Sequence, residues 1–510
     1  MVDGDFMTAR RGKRGSRRAR AAEVKPKPEV DGRHNAATQP YEFFADGIPD
    51  RLIESATELL AESGVGFSPG SAALEYLQKG GCEIASEGIV KIPREVVREA
   101  LRTSAKTVKL WNRPGNHHID LDCDHTWFMP GMTCIKVFDL ETGEARASNG
   151  DDLAAVTRIA DALPNIDAVG VSCKNVERSD IHGEIEEFSI LATNTTKPLE
   201  YLCEHPESLD VVIDMAAAIR GGREQLIEKP YFLHIVTPLP LNYHPAHSDQ
   251  IISAVLAGVP LSVGTLPIGG ASTPITTAAC IVNSLATDFA AMVLAQCVRP
   301  GSFCIGSSDV CFMEPATGGI GNFAQTSLAD MAMCQVRKKL GLPSFTGALG
   351  YSAARRFNQD AVAEISYSLM QAFYSRPATL DYLGSLDEGL TFSLHALLLS
   401  DDLAGLLRTM WGGIPVDADS LAMDMAKRVG PLGDYLAERH TAAHCRENLW
   451  ESRYFGPNLP LSGDDKPDKD LIERIDDDLK VLLETHQPAP VAPELLAELG
   501  NIRARFTVAD

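Results

Sequence analysis

An α/β fold, a (β/α)8 TIM barrel with an N-terminal helical extension and C-terminal helices, is the architecture this sequence predicts, and three observations predict it. From Trp127 onward, short apolar runs alternate with stretches of helical period, giving eight strand candidates with seven helices between them. The strand runs are apolar on both faces, as strands of a helix-covered parallel sheet are. No G-x-G-x-x-G follows the first of them, so nothing favours the alternative, an open doubly wound dinucleotide fold.

The segment 260–308 shows the repeating unit most clearly. Pro260–Leu266 reads as a buried strand, Gly269-Gly270 as a close turn, and Thr273-Pro274 as N-cap followed by proline at the first helical position. Ile275, Ala279, Val282, Leu285, Phe289 and Met292 recur at helical spacing, and Phe303–Ser307 re-enters as the next strand. That is a βαβ unit with a right-handed crossover.

Around it the other strands are expected at Trp127–Pro130, Asp167–Ser172, Pro198–Cys203, Tyr231–Thr237, Ser344–Leu349 and Thr379–Gly384. Helices fall at Asp151–Leu163, Glu184–Asn194, Ser208–Arg220, Ser248–Ala257, Pro274–Val298, Leu328–Leu340 and Ala361–Tyr374. The domain reading is therefore a disordered basic tail over 1–40, a mainly helical segment over 41–126, the barrel over 127–400 and a helical extension over 401–510.

Charge and cysteine usage narrow the function. The formal net charge is −22, which argues against nucleic acid as a partner of the body of the chain. Residues 1–28 run the other way, with nine Lys/Arg against three acids, and lack the apolar core of a secretory signal. No run approaches eighteen apolar residues, so no membrane span is expected. Eleven cysteines without a CxxC pair point to free thiols and a cytoplasmic location.

Chemistry in such a barrel sits at the carboxyl ends of the strands. Reading past each strand collects Phe128, Tyr201, Tyr351 and Phe392 as aromatics, Glu204 and Glu388 as acids, and His234, Ser307 and Arg355 as further polar groups. Ring faces and carboxylates attract a cation that has no hydrogen to donate, which is the recognition problem set by a quaternary ammonium. Arg355, or the helix start after Thr273, suits a carboxylate at the other end of such a ligand. No metal site is expected: His440 and His444 are four residues apart but lack the glutamate of an HExxH frame and read as surface histidines. Ser307-Ser308 lacks a GxSxG frame and Cys304 falls inside a strand, so no nucleophilic triad is read.

Several longer segments carry a resemblance: VFDLETGEARASNGDDLAAVTRIADALPNID (137–167), GGASTPITTAACIVNSLATDFAAMVLAQCVRPG (269–301), GLPSFTGALG (341–350), DEGLTFSLHALLLSDDL (387–403) and VGPLGDYLAERHTAAHCRENLW (429–450). In these the chain resembles the trimethylamine methyltransferase family, specifically its members without pyrrolysine, which include the glycine betaine:corrinoid methyltransferases. The resemblance implies a TIM barrel whose mouth takes a methylated amine, and methyl transfer in line to the reduced cobalt of a separate corrinoid protein. Cobalamin or another corrinoid would thus sit on the partner, with tetrahydrofolate as a downstream or direct acceptor.

The pyrrolysine position of the family falls at about Leu349 or Gly350, in the loop TGALGYSAARRFNQDA. A quaternary nitrogen, or the sulfur of a sulfonium, leaves as a neutral group without such an activating residue. The expected substrate is accordingly a small quaternary amine of glycine betaine type or a sulfonium. Glu204, Glu388 and His234 are the expected catalytic groups, and Phe128, Tyr201, Tyr351, Arg355 and Phe392 the expected substrate contacts. Gly269, Gly270 and Ser307 are the expected cofactor contacts. A homo-oligomer is expected. Direct transfer to folate and a non-catalytic betaine-binding protein are the alternatives.

Overall fold

The computed structural model describes residues 41–508 apart from 43, 87, 132, 141, 322, 347–349, 446–447 and 456–468. The basic tail expected over 1–40 and the position at Leu349 lie outside the described residues.

Seven parallel strands form the centre: β1 Trp127–Pro130, β2 Leu199–Leu202, β3 Phe232–Val236, β4 Leu261–Val263, β5 Cys304–Gly306, β6 Phe345–Thr346 and β7 Thr379–Leu383. β2, β3, β4 and β5 pair in sequence order, and β6 pairs with β7. β7 in turn pairs with β1, Thr379 opposite Trp127 and Leu380 opposite Phe128, so the last strand is hydrogen-bonded to the first. The register slips between Leu380 and Leu383.

The strand expected at Asp167–Ser172 does lie between β1 and β2, though without a ladder. Asp167 N–H donates to Phe128 O (2.8 Å) and Glu200 N–H to Val169 O (3.0 Å), and only isolated bridges form, at Val169–Leu199 and Cys134–Cys173. The physical reason is local. Ser172 N–H turns back onto Gly170 O (2.8 Å), and this tight turn interrupts the extended run.

Helices cover one face of these strands: α1 Gly150–Ala162, α2 Ile181–Asn194, α3 Pro206–Arg220, α4 Pro245–Ala257, α5 Thr277–Val298, α6 Ala324–Lys339, α7 Gln359–Ser375 and α8 Leu394–Trp411. α1 opens on a full capping box between Asn149 and Asp152. α5 begins three residues later than its proline suggests, because Ile268–Thr273 closes on itself. Ala271, Ser272 and Thr273 N–H all donate to Ile268 O, and Gly270 N–H donates to Thr273 O. The Thr273 hydroxyl, expected as the cap, is spent on Cys280 Sγ (3.3 Å).

α5 bears on the expectation of no membrane span. Its 22 residues include an 18-residue window of mean hydropathy 1.7, long and apolar enough to cross a membrane by composition, but 78% of that window is buried inside the protein. It is the central core helix, packed by the N-terminal helices Ile48–Glu62, Ala72–Lys79 and Arg94–Thr103.

Strand alternation divides the core in two. Phe128, Tyr201, Phe232, Leu261, Val263 and Cys304 join the large cluster beneath the helices. Trp127, Met129, Ala168, Leu233, Ile235, Phe303, Ile305 and Phe345 form a separate cluster on the opposite, inner face. The hairpin Val108–Trp111/His118–Leu121 adds Leu110, Ile119 and Leu121 to that inner cluster. Trp111 N–H donates to Pro230 O (2.8 Å), just ahead of β3, so the hairpin covers the amino ends of the strands. At the far end of the chain, Leu471–Thr485 and Pro493–Val508 pack on the outside of the helical layer.

Candidate active site

With the amino ends covered, the inner face is approached from the carboxyl ends of the strands, and it holds a group of acids that the sequence reading did not select. Glu200 of β2 and Asp381 of β7 are both 0% exposed. All four of their carboxylate oxygens are buried without a hydrogen-bond partner. Burial pushes both carboxyls well above the usual carboxylate range, and at Asp381 the charges of Glu200 and Asp309 push the same way. Asp309, beyond β5, accepts from Thr346 Oγ1 (3.2 Å). Asp330 of α6, buried and raised for the same reason, adds a further acid on that side.

Local backbone explains how these groups are presented. Gly170 stands against Glu200: a Cβ there would lie 3.2 Å from Glu200 Oε2. The slipped register of β7 and a left-handed backbone at Tyr382 (φ 61°) let consecutive residues, Asp381 and Tyr382, both serve the inner side. Asp387 (52°) and Glu388 (56°) are left-handed as well. Three such residues in one short stretch store about 1–3 kcal/mol each, as segments at functional sites do. The Tyr351 ring lies 6.3 Å from that of Tyr382. Ser262 of β4, flanked by two residues of the outer cluster, faces inward with its buried hydroxyl unpartnered.

The expected site residues divide. Tyr351, Glu204, Glu388, Arg355 and Gly270 do stand beyond the carboxyl ends of the strands. Glu204 and Glu388 are exposed there, the Glu388 carboxyl raised by partial burial and then by Asp387. Arg355, 88% exposed, reaches Asp387 at 3.5 Å.

Phe128, Tyr201 and His234 are corrections, since alternation turns them outward beneath the helices. Phe128 stacks on Trp411 at 6.0 Å and lies under the Arg408 guanidinium. The Tyr201 hydroxyl donates to Glu184 O (2.9 Å). His234 spans Tyr201 O (3.1 Å) and Gln250 Oε1 (3.0 Å), and burial lowers it to about 4 against the pull of those two contacts. Phe392, 1% exposed, sits against Gly384 in the outer core. Gly269 is buried against Phe312 and Cys280, and Ser307 is 7% exposed with its N–H donated to Val263 O.

The other clusters carry less. His440 and His444 both engage Asp419, at its carbonyl (3.0 Å) and its carboxylate (3.2 Å). The ligand atoms of Asp419, His440 and His444 lie within 4.8 Å of one another. A cleft of about 620 Å³ lined by Arg94, Arg98, Lys106 and Lys339 lies away from the strand ends. Arg94 and Lys339 there are matched by Glu54, Glu58 and Asp50.

A parallel α/β architecture with buried acids on the inner face of its strands has the build of an enzyme. Comparison with known proteins gives the class. The family model for trimethylamine methyltransferase matches residues 10–507. The chain belongs to the trimethylamine methyltransferase family, and is a methyltransferase.

Trimethylamine methyltransferase MttB of Desulfitobacterium hafniense is 26% identical over 469 residues, covering 90% of this chain and 92% of the relative. Glycine betaine methyltransferase of the same species is 24% identical over 414 residues, 80% of this chain and 85% of the relative. The crystal structure of the Methanosarcina barkeri monomethylamine methyltransferase aligns over 94% of this chain and 89% of that one, at 12% identity and a TM-score of 0.49.

Proposed function

We propose that this methyltransferase takes its methyl group from a small quaternary onium compound of glycine betaine type and delivers it to a corrinoid protein docked at the strand ends. The observation that carries the reading is the pair Glu200 and Asp381, wholly buried and unpartnered, in a chain of this family. A quaternary ammonium offers charge but no hydrogen-bond donor, so it neutralises carboxylates that have found no donor in the protein. Tyr382, next to Asp381, adds a ring face, and the Tyr351 ring stands 6.3 Å from it.

The chain's own contribution would be positional. Carboxylates and tyrosines hold the onium so that one methyl points outward along the line of displacement, and the departing amine is neutral and needs no acid. A reduced corrinoid, when its carrier protein is docked, supplies the nucleophile that accepts the methyl. Large apolar side chains stand exposed around the strand ends, at Ile135 (45%), Leu239 (53%), Leu266 (50%), Ile275 (56%) and Leu390 (46%), and this rim suits a protein partner. The eight-stranded closed barrel is part of the same proposal, supported by the β7–β1 pairing that joins the last strand to the first. All eleven cysteines are free, which suits the reducing cytoplasm.

The test is a thermal-shift screen of glycine betaine, tetramethylammonium and dimethylsulfoniopropionate, followed by methyl transfer to chemically reduced cobalamin. Stabilisation by a quaternary or sulfonium compound, with demethylated product formed, is the expected result. Indifference to every onium compound would sink the assignment.

A further inference from the structure

Two carboxylates taken out of water beside one another cannot both stay ionised without a counter-charge. Glu200 and Asp381 are both out of water, the charge of Glu200 bears on Asp381, and none of their four oxygens has a donor. The groups that bear on Asp381 and its neighbours come from several elements: Asp309 beyond β5, Tyr382 on β7 itself, Tyr351 ahead of α7, Asp330 on α6, Cys311, and Cys134 between β1 and α1. None of these is a cation. Arg337, whose charge reaches Asp330, is already committed to Asp288, Phe345 O and Ser308 O. Glu200 is packed against the Gly170 backbone, where a Cβ would press on its Oε2. The buried Ser262 hydroxyl, on the inward side of β4, is likewise left without a partner.

We infer that the two buried acids, Glu200 and Asp381, hold a proton while the inner face is empty and surrender it when a quaternary ammonium enters, so that binding is coupled to proton release. The inference rests on the onium reading above and adds how the site pairs its charge. The incoming cation makes the second ionisation favourable, and the proton leaves to solvent. The raised carboxyls of both residues agree with this sign: the empty protein holds the proton near neutral pH, and the occupied one does not. A primary or secondary ammonium would fit less well, because its N–H groups would seek acceptors in fixed directions, whereas a quaternary centre needs only charge and ring faces around it.

Isothermal titration calorimetry of the full-length protein with tetramethylammonium and with glycine betaine, in buffers of differing ionisation enthalpy, reads the coupling directly. On the order of one proton should be released per ligand bound, and affinity should rise up to about tenfold per unit between about pH 6 and about pH 8. Glu200→Gln and Asp381→Asn keep the shape and remove one acid each, so either should abolish most of the release and flatten the pH dependence. Their melting temperatures without ligand should not fall below wild type, since each replacement removes an unpaired buried acid. Binding to the wild-type protein with buffer-independent heat and pH-independent affinity overturns the inference and leaves the onium reading standing. Absence of binding by either probe sinks both.

Discussion

Arg337 of α6 and Asp288 of α5 form an ion pair of 2.6 Å with both side chains almost wholly buried. The pair stands where β5 and β6 share no ladder among the described residues. Arg337 fills that place, donating Nη1 to Phe345 O (3.0 Å) and Nη2 to Ser308 O (3.1 Å), while Ser308 Oγ donates to Asp288. One guanidinium thus fastens the end of β5 to β6 and so holds Asp309, three residues beyond the strand, in place.

Replacing Arg337 with methionine strands the Asp288 carboxylate and both carbonyls in the core. We expect a loss of about 3–5 kcal/mol, the usual cost of breaking a buried pair from one side. Urea unfolding of wild type and variant measures it. The double variant Arg337→Met/Asp288→Leu should recover part of the loss, because no buried charge is then left alone. A single variant within about 1 kcal/mol of wild type would show that the pair is not the fastening described.

Gly269 offers a second test. A Cβ there would fall 2.6 Å from Phe312 Cδ1 and 2.9 Å from Cys280 Sγ. Gly269→Ala should therefore cost about 1–3 kcal/mol through overpacking, read as a lower melting temperature. Its neighbour Gly270 is exposed and left-handed (φ 91°), with 3.3 Å of clearance to Ile275. Gly270→Ala should cost about 1–2 kcal/mol from backbone conformation alone. The turn is built first for packing, and only its outer glycine is available to a docked partner.

The sequence discloses the frame of this fold far better than its site. Apolar runs and helical period place the labelled strands and helices α1 to α7 within a few residues, because burial in two layers leaves a repeated signature. The Asp167–Ser172 run reads as a full strand since nothing in its composition shows the Ser172 turn onto Gly170. The site is less legible because direction matters there. Phe128, Tyr201 and His234 are attractive residue types on the wrong side of their strands, while Glu200, adjacent to Tyr201, is on the right one. The available signal is the acid itself: Glu200 in LEYL and Asp381 in TLDYL interrupt otherwise apolar buried strands. An acid in such a strand is costly enough to call for a purpose.

Tyr201 makes that distinction measurable. Its hydroxyl bonds Glu184 O, and its ring packs edge-on against Phe188 (5.2 Å) and Phe232 (6.3 Å). Tyr201→Phe should lower stability by about 1 kcal/mol, the net worth of one buried hydrogen bond, and leave kcat/KM for the onium substrate unchanged. Tyr351→Ala should do the reverse, lowering kcat/KM about 5- to 30-fold through loss of a ring face, with little change in melting temperature. A large kinetic effect at Tyr201 without a stability effect would return that residue to the site.

The docking of the C-terminal segment should depend on pH through Asp161. Its carboxylate accepts from Thr195 Oγ1 (2.7 Å), Thr196 N–H (2.8 Å) and His486 Nε2 (2.9 Å), the last of these from the segment between the two final helices. Burial works to raise Asp161, but Thr196 N–H, the Thr195 hydroxyl and His486 outweigh it and hold the carboxyl below its ordinary value. A depressed acid contributes stability that is fully present above its unfolded pKa and is lost as pH falls through the folded one. Acidification below about pH 4, the ordinary range of an aspartate, should therefore loosen residues around His486. Proteolysis or hydrogen exchange should detect this before the strands open. Asp161→Asn should bring the same loosening to neutral pH and remove its acid dependence. If 470–508 stays protected in that variant, its anchoring comes from the apolar contacts of the two helices instead.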